Sequence, residues 1–108
     1  MRINEYQELA RRTQREDLKP AERLQHALHG LASEVGEIHA IYQKKYQGHA
    51  VRTEKVIDEL GDLMWFAGEL CDCLGVKMEY VCEANISKLR ERYPQGFDAE
   101  RSRNRQDQ

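Results

Sequence analysis

The sequence lacks the features that mark membrane, secreted and nucleic-acid-binding proteins. Its 108 residues contain no apolar run of membrane-spanning length, and no apolar signal segment is recognisable near Met1. The three cysteines are an odd number without Cys-x-x-Cys spacing, which favours free thiols in a reducing compartment. The formal net charge of -2 gives no strong field to attract a nucleic acid polymer. We therefore expect a cytoplasmic protein that binds neither a membrane nor a nucleic acid polymer.

Aromatic residues and prolines are also few, and this scarcity favours helices over sheets. Phe, Trp and Tyr make up 7% of the chain, two residues are proline and 33% are charged, whereas sheets are rich in aromatic residues. Pro20 suits the first turn of a helix, and Thr53 suits a helix cap. Gly48, Gly75 and Pro94 are typical of helix ends. The predicted helices cover about residues 4–15, 20–46, 53–75 and 78–93.

The two longest predicted helices each carry an apolar stripe of helical spacing. We therefore predict an all-α fold, a bundle of four to five helices that occupies residues 1–97 and is followed by a polar, disordered tail at 98–108. A chain of this length forms one modest core, which a second copy of the chain would enlarge. The predicted core residues are Leu24, Ala27, Leu28, Leu31, Val35, Ile38 and Tyr42 in one helix and Val56, Leu60, Leu63, Ala67, Leu70, Cys71 and Leu74 in the other.

Two acidic pairs interrupt these stripes in the same pattern. The segments "SEVGEI" and "DELGDL" contain the pairs Glu34 and Glu37, and Glu59 and Asp62. Acids spaced i, i+3 usually lie on a solvated helix face, but at about 100° per residue Glu34 falls inside the stripe and Glu59 at its edge. Carboxylates directed into a bundle must be paired or bind a cation, because burial of an unpaired charge is costly. Basic residues of the bundle are one source of that charge, and a divalent cation is the more compact one.

Carboxylate ligands and the glycines between them suggest a metal site with room for a ligand. All-oxygen ligation favours Mg²⁺ or Mn²⁺ over Zn²⁺. Gly36 and Gly61 lie between the acids of each pair, although a glycine within a helix costs about 1 kcal/mol relative to alanine. Their equivalent positions suggest close backbone approach or space for a ligand, and Gly30 and Gly68 fit close packing.

Polar and basic residues elsewhere suggest phosphate binding near the acids. Asn85, Lys88 and Arg92 form a polar stripe on the last long helix, and Lys44 lies two turns beyond Glu37 on its face. Cations and a metal ion around one cleft would suit phosphoanhydride hydrolysis. Ordinary surface charge is the alternative for each of these residues.

Two adjacent aromatic residues, Trp65 and Phe66, follow the second acidic pair. Either ring offers a face on which a nucleobase can stack. Packing within the core or at a dimer interface is the alternative, and it is the commoner role of such residues. Phe66 is therefore a candidate substrate contact. No phosphate-binding Gly-rich loop accompanies it in the sequence.

Three ordered blocks, "GLASEVGEI", "IDELGDLMWFAGEL" and "ANISKLRERYPQGF", resemble the MazG-like nucleotide pyrophosphohydrolases of the all-α NTP pyrophosphatase superfamily. The resemblance covers about residues 24–97. The family motif is EExxE, a spacer and ExxD, which matches the segments from Ser33 to Glu37 and from Glu59 to Asp62. Ser33 stands where the family often has its first Glu, a departure that bears on the number of metal ions.

The resemblance implies a chemistry and a set of roles. A (deoxy)nucleoside triphosphate would be hydrolysed to the monophosphate and pyrophosphate by a homodimer or a dimer of dimers. Glu37 or Glu34 would activate water. Asn85 and Lys88 match positions near the family's nucleotide site, and Arg92 belongs to the same block. The residues implied to bind Mg²⁺, with Mn²⁺ as a substitute, are Glu34, Glu37, Glu59 and Asp62.

Other functions are compatible with the same residues. Within the superfamily, the alternatives are a phosphoribosyl-ATP pyrophosphohydrolase and a dUTP pyrophosphohydrolase. A catalytically silent helical dimer that binds a nucleotide or a protein partner is an alternative of another class, and Ser33 favours it. A bundle whose acids bind only a structural metal is the last alternative.

Overall fold

The structure is a computed structural model that describes residues 1–105, and these residues confirm the predicted all-α class. No strand is present in that range, and none of its helices is long and apolar enough to cross a membrane. A short 3-10 helix, Lys44–Gln47, continues the second helix. The five α-helices are α1 (Ile3–Arg11), α2 (Pro20–Gln43), α3 (Thr53–Leu74), α4 (Met78–Arg92) and α5 (Ala99–Arg103).

Most helix ends follow the local signals in the sequence. Pro20 is the first residue of α2. Gly48 and Gly75 have φ angles of 90° and 69°, the left-handed conformation that ends a helix and that glycine adopts without steric cost. Two details of the prediction are wrong: α1 already ends at Arg11, and Thr53 is the first helical residue of α3 rather than its cap.

The α2 and α3 helices form the antiparallel pair at the centre of the protomer. Gly30 of α2 lies against the ring of Phe66 in α3, and a Cβ at Gly30 would come within 2.2 Å of that ring. Only glycine permits this approach, which confirms the close packing predicted there. At Gly68, by contrast, the Sδ atom of Met78 would lie 3.5 Å from an added Cβ, an ordinary contact. The Gly30–Phe66 contact therefore fixes the register of the two helices.

Asp72 of α3 ties α1 to the pair. Gln7, Arg11 and Gln14 each donate a hydrogen bond to its carboxylate, at 2.9, 2.7 and 2.7 Å. Burial alone would raise the pKa of Asp72, but these hydrogen bonds and the charge of Arg11 hold that pKa below its ordinary value. Gln7 also accepts a hydrogen bond from the backbone N–H of Met78, at 2.7 Å. The same side chain thus joins α1 to the first residue of α4.

The predicted apolar stripes are only partly buried within one protomer. Among residues 1–105, the buried apolar residues are Ala10, Ala27, Cys71 and Met78. One chain therefore does not bury the whole of either stripe, and a core shared with further copies of the chain stays a prediction. In α4, which packs against α1, every residue from Glu79 to Glu91 is exposed. Members of the predicted stripes that are exposed here are Leu24, Leu28, Val35, Tyr42, Leu60 and Leu74.

The tail predicted to be disordered contains a short helix. Asp98 caps α5 by accepting hydrogen bonds from the backbone N–H groups of Glu100 and Arg101. Residues 106–108 of this tail lie outside the described residues. The boundary between a domain at 1–97 and a tail at 98–108 stays a prediction.

Candidate metal and active site

Three carboxylates meet on the seam between α2 and α3. Glu34 of α2 and Glu59 and Asp62 of α3 each offer one oxygen, and these oxygens lie within 4.8 Å of one another. Glu34 and Glu59 are half-buried, whereas Asp62 is exposed. The alignment of α2 with α3 at Gly30 and Phe66 explains why these carboxylates are close. Glu34 lies one turn after Gly30, and Asp62 lies one turn before Phe66. The structure thus brings together three of the four predicted metal ligands, here called the carboxylate cluster.

The proximity of the carboxylates perturbs the pKa of Glu34. Its hydrogen bond with Glu59, then its burial, then the negative charges of Glu59, Asp62 and Glu37 raise the pKa of Glu34 to about 7, from 4.5. Two carboxyl groups hydrogen-bond to each other only when one carries a proton. The Oε2 atom of Glu34 is also buried and has no hydrogen-bond partner among the described residues. A divalent cation would replace the proton and satisfy the oxygen, so the donor set fits a hard metal ion.

The glycines within the acidic pairs face open space. A Cβ added at Gly36 or Gly61 would meet no atom within 4 Å. Close backbone approach is therefore the wrong interpretation at these two positions, and the alternative of room for a ligand fits them. Near Gly61, the hydroxyl of Tyr6 lies 3.5 Å from the backbone carbonyl. Burial and the nearby charge of Asp62 raise the pKa of Tyr6. Because Tyr6 belongs to α1, this helix reaches the edge of the carboxylate cluster.

Neither Glu37 nor Lys44 belongs to the carboxylate cluster. Glu37 is exposed one turn beyond Glu34, and its negative charge contributes to the raised pKa of Glu34. Lys44 begins the 3-10 helix after α2 and is exposed. Both side chains are therefore accessible to solvent, and the structure gives only Glu37 an interaction with the cluster.

The other predicted phosphate-binding residues belong to a different part of the protomer. Asn85 and Lys88 are exposed on α4, and Arg92 is half-buried at the end of that helix. Because α4 packs against α1, these residues lie off the seam between α2 and α3. The protomer alone does not join them to the carboxylate cluster.

Phe66 belongs to an aromatic cluster that also contains Trp65 and His26. The Phe66 ring centroid lies 5.1 Å from that of Trp65 and 5.5 Å from that of His26. The sequence pattern did not predict the pairing of His26 with the buried Glu69, whose Oε1 lies 2.6 Å from the His26 Nδ1. One feature of the sequence could have pointed to Glu69. It follows Asp62 by seven residues and therefore lies on the same face of the helix, two turns further along.

We expect Mg²⁺ to bind more weakly as the pH falls through 7. The folded-state pKa of Glu34 lies near 7, so below that pH a cation must displace a proton. Calorimetric titrations at pH 6, 7 and 8 should show an apparent Kd that weakens by up to about tenfold per pH unit below 7. Ion binding should release up to one proton at pH 6 and little at pH 8. An apparent Kd that does not vary across this range would contradict a role of Glu34 as ligand.

Comparison with known protein families supports the resemblance seen in the sequence. The family model of the MazG nucleotide pyrophosphohydrolase domain matches residues 2–97. That range contains both acidic pairs and helices α1 to α4. No curated protein and no solved structure matches the chain significantly.

Proposed function

This chain belongs to the MazG nucleotide pyrophosphohydrolase family, and on that premise we propose that it is a metal-dependent enzyme that converts a (deoxy)nucleoside triphosphate to the monophosphate and pyrophosphate. The family implies a hydrolase that acts on nucleotide phosphoanhydride bonds. The observation that carries the proposal for this chain is the carboxylate cluster of Glu34, Glu59 and Asp62, in which the pKa of Glu34 is raised to about 7. Such repulsion is costly to the fold and is relieved by a divalent cation.

Within this proposal, Glu34, Glu59 and Asp62 hold Mg²⁺, or Mn²⁺ in its place. Glu37, one turn from Glu34, would complete the ligand set. The bound ion supplies positive charge that neutralises triphosphate oxygens and the leaving pyrophosphate. The open space at Gly36 and Gly61 supports this arrangement, because phosphate oxygens need access to the cluster.

Glu37 is the proposed general base, with Glu34 as the other candidate for that role. Its exposed carboxylate orients a water molecule and takes a proton as the water oxygen attacks phosphorus. The attack breaks a phosphoanhydride bond, and pyrophosphate leaves with the bonding electron pair. Glu34 is less suited to this role, because its carboxylate would be a ligand of the cation.

The proposed substrate contacts divide between the seam and α4. Phe66 lies on the seam and would bind the nucleobase. Lys44, in the 3-10 helix that follows α2, would bind a phosphate. Asn85, Lys88 and Arg92 would bind the phosphates from a second copy of the chain, because α4 packs against α1 in its own protomer. The exposed apolar residues of α2, α3 and α4 support a homodimer or a dimer of dimers, since a second copy would cover them.

The proposed location is the cytoplasm. The three cysteines, Cys71, Cys73 and Cys82, are all free. Free thiols are typical of proteins in a reducing compartment.

A release assay tests the proposed function. Purified protein with Mg²⁺ or Mn²⁺ would be incubated with normal and modified nucleoside triphosphates, and pyrophosphate and orthophosphate would be measured separately. We expect pyrophosphate with monophosphate, and a loss of about 100-fold or more in Glu37→Gln. Release of orthophosphate instead would show that the enzyme cleaves the bond between the β- and γ-phosphates. Nucleotide binding without turnover would favour the catalytically silent alternative, and wild-type rates in Glu37→Gln would remove that residue from the mechanism.

A further inference from the structure

The proposed reaction leaves one buried carboxylate without a role. Glu69 is 1% exposed and lies two turns beyond Asp62 on α3. Its Oε1 contacts the Nδ1 of His26 at 2.6 Å, and its Oε2 lies 3.5 Å from Nη1 of Arg23. A buried carboxylate is costly unless it is paired, so the contacts with Arg23 and His26 are the condition for its burial. The His26 side chain remains 43% exposed, so the buried acid orients an imidazole that solvent or a ligand can reach.

His26 is also part of a rigid aromatic surface. Its ring centroid lies 6.2 Å from that of Trp65, edge to face, and 5.5 Å from that of Phe66. The Nε1–H of Trp65 donates a hydrogen bond to the Oγ1 of Thr13, at 2.7 Å, which fixes the indole. Phe66 is held against Gly30. Each of the three rings is therefore held by a partner outside the aromatic cluster.

The aromatic cluster and the carboxylate cluster follow the same seam. His26, Gly30 and Glu34 are spaced four residues apart on α2, and each faces a residue of α3. The distance from His26 to Glu34 along the helix is about 12 Å at 1.5 Å per residue. That distance is the scale of an extended nucleoside triphosphate from its phosphates to its base.

We propose that His26, Trp65 and Phe66 form the nucleobase subsite of this chain and that His26 reads the edge of the base. The proposal rests on the proposed function, since the carboxylate cluster must hold the phosphates. When the imidazole is neutral and its Nδ1–H donates to the Glu69 carboxylate, the Nε2 is left as an acceptor. An acceptor favours a base with an amino group, such as cytosine or adenine, over its oxo counterpart, uracil or hypoxanthine.

The fluorescence of Trp65 reports base binding directly, because it is the single tryptophan of the chain. The probes are a nucleoside triphosphate analogue with a non-hydrolysable α,β bridge and inorganic tripolyphosphate, each with Mg²⁺. We expect calorimetry to detect binding of both and only the analogue to quench Trp65. Binding of both without quenching by the analogue would overturn the subsite and leave the proposed function standing. Binding of neither would overturn both.

The edge-reading role of His26 is tested with His26→Asn at pH 8. The asparagine amide nitrogen occupies the place of Nδ1, so the variant keeps a partner for Glu69 and loses only the outer nitrogen. We expect an unchanged melting temperature and a roughly tenfold fall in the kcat/KM ratio of dCTP to dUTP, with most of the change in KM. His29→Asn, an exposed histidine one turn away, is the control and should leave the ratio unchanged. A dCTP to dUTP ratio near 1 in the wild type would overturn this role. An unchanged ratio in His26→Asn would overturn it as well.

Discussion

Replacing Glu59 by Gln is expected to give a protein that is more stable without metal and nearly inactive with it. The hydrogen bond with Glu59 is the largest cause of the raised pKa of Glu34, and the charge of Glu59 adds to it. The amide of Gln removes that charge and can donate to the Glu34 carboxylate. Loss of a metal ligand should reduce the rate of pyrophosphate release by at least about 100-fold. Loss of the Glu59 carboxylate would thus raise stability and lower activity. These opposite effects would identify the cluster as one that serves function rather than stability.

The pH dependence gives the sign of the stability effect. A folded pKa of about 7, above the ordinary 4.5, means that the unfolded chain releases the proton of Glu34 first as the pH rises. Metal-free wild-type protein therefore loses stability between pH 4.5 and 7, and the loss is complete above 7. Because Glu34 is only half-buried, we expect the gain in Glu59→Gln to be about 1 kcal/mol at pH 8, or about 4–8 °C in melting temperature.

The matched control is Asp58→Asn, which neutralises an exposed acid next to Glu59 on the same helix. It should leave both the melting temperature and the rate of release close to wild-type values. Mg²⁺ should raise the melting temperature of wild-type protein and of Asp58→Asn, but not that of Glu59→Gln. A metal-free Glu59→Gln protein that melts below the wild type would instead show that Glu59 stabilises the fold. Retained activity would remove Glu59 from the metal site.

The acidic pairs could be predicted because they are local features of helices. Spacing of i, i+3 within one helix places two side chains on one face whatever the rest of the chain does. The pairing of Glu69 with His26 could not be predicted in this way. It depends on how α2 is aligned with α3, and that register follows from the contact between Gly30 and Phe66, 36 positions apart in the printed sequence.

The apolar stripes show a second limit of the sequence. Helical periodicity identified Leu28 and Leu60 as apolar positions that need cover, and the local signals placed α2 and α3 correctly. Periodicity does not say whether the covering surface belongs to the same protomer. In the structure both residues are 48% exposed, so one chain alone does not supply that cover. Periodicity also does not say which helix α4 packs against. In the structure α4 packs against α1, so Asn85 and Lys88 do not lie beside the acids of the same chain.

Gly30→Ala is expected to destabilise the protein and to weaken the metal site together. The added Cβ would lie 2.2 Å from the Phe66 ring, closer than any tolerated contact, so the ring or the helix must move. Overpacking of this kind costs about 1–3 kcal/mol, which corresponds to a fall of at least about 4 °C in melting temperature. A shift of α2 relative to α3 also moves Glu34 away from Glu59 and Asp62. Calorimetry should therefore show weaker Mg²⁺ binding, although no ligand has been changed.

A double-mutant cycle separates the steric effect from a general intolerance of α2. Phe66→Leu removes the ring that meets the new Cβ, so Gly30→Ala with Phe66→Leu should be less destabilised than the two single changes predict by addition. Gly36→Ala is the matched control on the same helix, because its Cβ meets nothing within 4 Å and alanine favours helix by up to about 1 kcal/mol. It should raise the stability of the metal-free protein. Strict additivity in the cycle, or Mg²⁺ affinity unchanged in Gly30→Ala, would show that the contact between Gly30 and Phe66 does not set the geometry of the carboxylate cluster.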